Sequence, residues 1–152
     1  DEIFDIVIAN HVMFYAKDRE KTLNEIFRIL KNGGLFCCST YGKNHMKEIE
    51  NIVKEFDNRI ALSDVKLYDI FGLDNGYSEL SSIFKTVKTL RYDDSLLVDQ
   101  LKPLLDYIYS CHGNQMTYIM PRQESFEKFV LRKMTKKGIS ITKDAGIFIC
   151  RK

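Results

Sequence analysis

Eight glycines are scattered along the 152 residues, yet no Gly-x-Gly occurs anywhere. The glycine turn that lets a backbone close on a nucleotide-like ligand is therefore not carried by these residues. The four cysteines, Cys37, Cys38, Cys111 and Cys150, form no CxxC pair, and no metal-ligand spacing links them or any carboxylate to His11, His45 or His112. No metal ligand is assigned. No Ser/His/Asp or Cys/His arrangement is readable. No apolar run reaches the length of a membrane span and no secretory signal is visible, so no membrane partner is expected. The net charge of +2, with both signs interspersed, does not build the basic footprint of a nucleic-acid-binding chain. Repeats, linkers and low-complexity tracts are absent too. Unpaired cysteines are expected to be buried thiols in a reducing compartment, which points to a cytoplasmic location.

What is present is apolar patterning sufficient for one core. Phe4-Asp5-Ile6-Val7-Ile8-Ala9-Asn10 is apolar on both faces, as in a strand interior to a parallel sheet. Asp18 caps a helix predicted over 18–31, with Leu23, Ile26, Phe27 and Leu30 as its buried stripe and Gly33-Gly34 as its stop. A strand over 35–41 follows, completing a βαβ unit. Further elements are a helix over 45–56, a short helix after Asp74-Asn75-Gly76, a strand over 86–92, and helices over 102–110 and 121–137. Two short strands, 139–142 and 146–151, are expected to be joined by a turn at Lys143-Asp144-Ala145-Gly146. The chain opens on Asp1 directly before a strand, which reads as an excerpt of a longer protein. That strand would then leave an apolar edge.

Three segments resemble class I S-adenosylmethionine (SAM)-dependent methyltransferases of the small-molecule, ubiquinone/menaquinone-type branch. Phe4 to Tyr15 is similar to the family's fourth strand and following loop. Glu25 to Gly34 is similar to its helix-then-Gly-Gly entry to the fifth strand, with Asn32 where most relatives have proline. Ile141 to Ile149 is similar to the closing strand of a bacterial subgroup, as is Phe71-Gly72-Leu73-Asp74-Asn75-Gly76 to one of its short motifs. The resemblance implies an α/β fold: a partial doubly wound, mostly parallel sheet, the C-terminal half of a Rossmann-like methyltransferase. A helical segment, 94–138, would be inserted before the last strands as an insertion or lid. The segment holding the family's Gly-rich SAM turn has no counterpart here, so the chain alone is expected to be inactive.

The resemblance implies SAM as cofactor, with Asn10, His11 and Val12 lining its methionine side, and a small-molecule acceptor. Local turn capping explains Asn10 and His11 equally well. Tyr15, Thr40, Tyr41 and Tyr118 are candidate acceptor contacts. His11 and His45 are candidate bases, needed only if the acceptor must lose a proton; partly exposed, non-catalytic histidines are the competing reading. A second class of function also stands: a non-catalytic, self-associating α/β module forming a homodimer through the exposed first-strand edge. Another doubly wound enzyme, such as a nicotinamide-dependent one, is a third.

Overall fold

The computed structural model describes residues 1–152. In chain order it contains β1 (Phe4–Asn10), α1 (Arg19–Ile29), β2 (Leu30–Tyr41), α2 (Lys47–Phe56), α3 (Leu67–Ile70), α4 (Gly76–Ser81), β3 (Thr86–Val98), α5 (Leu101–Ser110), α6 (Gln115–Ile119), α7 (Gln123–Lys133) and β4 (Ile139–Arg151). The four strands form one sheet in the order β1-β2-β4-β3. β1 and β2 are parallel, while β4 runs antiparallel to β2, so the sheet is mixed where a mostly parallel one was expected. α5, α6 and α7 stand between β3 and β4 in chain order.

The Asp18 cap is formed as expected, with its carboxylate accepting from Lys21 N at 2.9 Å. α1 then ends at Ile29, earlier than the apolar stripe suggested, and Leu30 is already extended and paired with Phe4. The register skips from Phe4↔Leu30 to Ile6↔Leu35, so residues 31–34 form an irregularity inside β2 rather than a helix stop. Gly33 takes φ +78° at that point, a conformation that costs glycine little and other residues about 1 kcal/mol or more. The turn expected at Lys143-Asp144-Ala145-Gly146 is absent. Ala145 and Gly146 pair with Tyr41 and Thr40, and ladder bonds to β2 keep the segment extended within a single strand.

Contacts divide the chain into two compact units, and β3 and β4 contribute to both. The first comprises residues 1–45, 67–93 and 144–152. Leu23, Leu30, Phe36, Cys38, Phe71, Leu80, Phe148 and Cys150 form its core. Full burial of a Leu or Phe contributes about 1.5–3 kcal/mol. β1 is at the sheet edge: Val7 and Ala9 pack against this core, whereas Phe4, Ile6 and Ile8 are exposed.

The second unit comprises 46–66 and 94–143. Ile49 and Val53 of α2 share a core with Leu104, Ile108, Phe126 and Val130. The apolar stripe of α2 is satisfied by the helices of the 94–138 segment. On this unit's surface, Asp57 is gripped by Arg59 at 2.6 Å and Arg122 at 2.6 Å, first Arg59 and then Arg122 holding its carboxyl well below the usual range.

All four cysteines are free thiols. Burial in the first unit's core drives the Cys38 thiol far above its ordinary value, and pushes Cys150 up to about 12. In the folded protein near about pH 8, Cys38 and Cys150 should stay unlabelled by a water-soluble thiol reagent and react once denaturant is added. Rapid labelling of both without denaturant would contradict this packing.

Candidate functional site

In open α/β sheets the carboxyl ends of parallel strands are where ligands gather. Here the parallel pair is β1 and β2, and the register sets Asn10 opposite Ser39. Asn10 is exposed, and its side-chain oxygen accepts from Ser39 Oγ at 3.3 Å. His11 N donates to Ser39 O at 3.1 Å, after which the chain turns sharply: His11 has φ +50°, the left-handed region. Val12 is exposed, and a 3-10 turn over Met13–Tyr15 buries Met13 and Phe14 while leaving Tyr15 at the surface, edge-on to Phe14. The apolar pair anchors the loop; the residues before and after it face solvent.

The end of β2 completes the arrangement. Tyr41 lies between two imidazoles, stacked with His11 at 5.8 Å and 26° and with His45 at 5.0 Å and 24°. Phe14 closes the side at 5.7 Å. Each such aromatic contact contributes about 0.5–1.5 kcal/mol beyond burial. The column His11–Tyr41–His45 is thus a rigid wall at the strand ends, rich in ring nitrogens.

Of the residues singled out from the sequence, Asn10, His11, Val12, Tyr15, Tyr41 and His45 belong to this one region of the first unit. Tyr41 stacks with both histidines, so its ring is engaged within the chain. Thr40 is not in the region's lining: it is fully buried, and its hydroxyl donates to Phe71 O at 2.8 Å. Alternation along β2 explains this, because Phe36, Cys38 and Thr40 share the core face. Tyr118 is part of the second unit, with its ring beneath the Arg59 guanidinium at 4.6 Å. Tyr107 and Tyr109 of the 94–138 segment bond Met46 Sδ at 3.4 Å and Glu127 at 3.3 Å in that same unit.

One feature escaped the sequence reading. A cleft of about 530 Å³ opens at the start of α1, lined by Lys17, Asp18, Arg19, Leu23, Glu79 and Ile83 among others. Its charged wall is the forked pair of Arg19 and Glu79, at 2.8 and 3.1 Å. The two residues are 60 apart in sequence, and no local pattern joins them.

An open α/β sheet whose parallel β1–β2 pair ends in solvent-facing residues is consistent with a Rossmann-like fold. Comparison with known proteins agrees. A family model described as a methyltransferase domain matches residues 1–38, which include β1, Asn10, His11 and α1. Among curated relatives, a malonyl-[acyl-carrier protein] O-methyltransferase of Calditerrivibrio nitroreducens is 26% identical over 152 residues, covering 98% of this chain and 58% of the relative. A protein of the same description from Nitrosospira multiformis is 38% identical over 58 residues, 38% of this chain and 19% of that one. The chain thus spans little more than half, or less, of the curated relatives it matches. Among solved structures, the YcgJ protein of Bacillus subtilis superposes with a TM-score of 0.54 at 15% identity, covering 100% of this chain and 65% of that one, and shares its fold. The family model and the curated relatives that match this chain are thus described as methyltransferases.

The left-handed backbone at His11 separates conformation from chemistry. His11→Val should lower stability by about 1–2 kcal/mol, since a β-branched residue resists that φ, whereas His11→Gly should cost less. Urea unfolding of the two variants checks this; equal losses would mean that the imidazole contact, not the backbone, dominates.

Proposed function

We propose that the protein containing this chain transfers a methyl group from SAM to the carboxylate of an acyl thioester. The observation that carries the reading is the exposed run Asn10-His11-Val12, which lies inside the matched segment and beside the imidazole–phenol column. These three exposed residues at the strand end fit the methionine side of SAM. SAM supplies an electrophilic methyl on a sulfonium. The chain's own part is to orient and to exclude water, with Phe14 and Tyr41 forming the dry side of the wall. The relatives' acceptor, a malonyl thioester on a carrier protein, supports the acceptor class.

A carboxylate acceptor has a consequence for the histidines. With a pKa near about 4 it is already ionised at neutral pH, so no base has to remove a proton. His11 and His45 then act as wall and orienting groups. The segment 94–138 keeps the role of acceptor selection in this reading, supported by its exposed Tyr107 and Met120. We further propose that the 152 residues bind SAM only weakly by themselves, since no Gly-x-Gly lies among them.

Methyl transfer to a malonyl thioester should stay nearly constant between about pH 6 and 8, and His45→Gln should slow it less than about tenfold, against the hundredfold or more expected for loss of a general base. A rate that falls with the titration of a histidine and collapses in His45→Gln would overturn the acceptor class. Tight calorimetric binding of SAM to the 152 residues would overturn the second proposal.

The exposed Phe4, Ile6 and Ile8 on the sheet edge favour one other reading, a self-associating module whose β1 edges pair about a two-fold axis. Light scattering decides it: a monomer that remains monomeric at high concentration excludes this module.

A further inference from the structure

The motif Phe71-Gly72-Leu73-Asp74-Asn75-Gly76 takes no part in the reading above, yet its bonds converge on the end of β2. Thr40 Oγ1 donates to Phe71 O at 2.8 Å inside the core. One residue on, Leu73 N donates to Tyr41 O at 3.3 Å. Between them Gly72 passes so close that a Cβ would lie 2.4 Å from Tyr68 O and 3.1 Å from Tyr41 O. The motif therefore holds the Thr40 side chain and the Tyr41 backbone.

Asn75 holds that grip in shape. Its Oδ1 accepts from Gly72 N at 2.6 Å, and its Nδ2 donates to Tyr68 O at 3.1 Å and Asp69 O at 2.9 Å. One side chain thus satisfies three backbone groups of a tight loop. Beyond Tyr41, Asp144 does the same for the turn that carries His45. Its carbonyl accepts from Gly42 N at 2.9 Å and its carboxylate from Asn44 N at 3.2 Å. Arg91 joins the two, reaching Asp144 at 2.7 Å and Asp74 at 2.8 Å.

We propose that Asn75 is a positioning residue of the strand-end site, holding Gly72 and Leu73 where they seat Tyr41 between His11 and His45. It touches no ring of the column and acts only through the Tyr41 backbone. The proposal rests on the methyltransferase reading for what the column serves, but not for whether the column is held this way.

Histidine-selective NMR of the whole chain tests it, because His11, His45 and His112 are its three histidines. Ring protons of His11 and His45, stacked on Tyr41, are displaced by its ring current; His112, bonded to Ser110 O in the other unit, is the internal reference. In Asn75→Ala the His11 and His45 signals should both move toward unstacked positions while His112 stays. Thr40→Val, which removes only the hydroxyl bond to Phe71 O, should move them the same way by less, and it decides the matter if Asn75→Ala does not fold. Folded variants that retain both histidine signals at wild-type positions would overturn the proposal. Because no substrate is present, this outcome is separate from the functional reading, whose failure would show as absence of methyl transfer by the wild-type protein.

Discussion

The register of β1 against β2 is the constraint on which the strand-end region depends. Asn10 opposite Ser39, with His11 N bonded to Ser39 O, brings the His11 ring within stacking range of Tyr41; a slip of β1 by one residue would carry His11 away and dissolve the column. That register is reached across an irregularity of four residues in β2, and its irregular backbone is held from β4. Arg151 donates to Gly33 O at 3.1 Å, and Lys152 donates from its backbone to Gly34 O at 3.1 Å and from its ammonium to Leu30 O at 2.7 Å. The ammonium also lies over the Phe27 ring and near Glu2, so the charge is compensated although the side chain is largely covered.

The two units solve the burial problem separately. In the first, a sheet face takes α1 and α4 against Phe36, Phe71 and Phe148; in the second, helices pack on one another around Ile108 and Phe126. The second unit's surface is organised by paired cations: Asp57 ties Arg59 and Arg122, and each guanidinium also covers a ring, Tyr118 and Phe56. Tyr109 and Tyr118 of the 94–138 segment also make such internal contacts. Aromatic content alone does not distinguish a ring that waits for a ligand from one that supports an arginine.

Polar groups play opposite roles on the two sides of Tyr41. On the chain's first loop they are sparsely bonded: Asn10 has one long contact to Ser39, and Val12 and Tyr15 face water. On the Phe71–Gly76 side three backbone groups, Gly72 N, Phe71 O and Leu73 N, are bonded by Asn75, Thr40 and Tyr41. A loop that is anchored but polar-rich at its tip is suited to meeting a ligand, while a loop saturated with its own bonds is suited to holding its neighbour still.

How much was legible follows from the range of each interaction. The first strand at Phe4–Asn10 and the stripe and Asp18 cap of α1 could be read locally, because strand and helix patterning and capping act within a few residues. The sheet's mixed direction, the straightening of Lys143–Gly146, the irregularity at Gly33 and the internal burial of Thr40 could not, since each is set by a partner strand far along the chain. Sequence by itself determined that the opening strand carries polar residues at its carboxyl end and what family it resembles. Only the tertiary structure decided that His11, Tyr41 and His45 form one column, because stacking depends on a cross-strand register that no local pattern encodes.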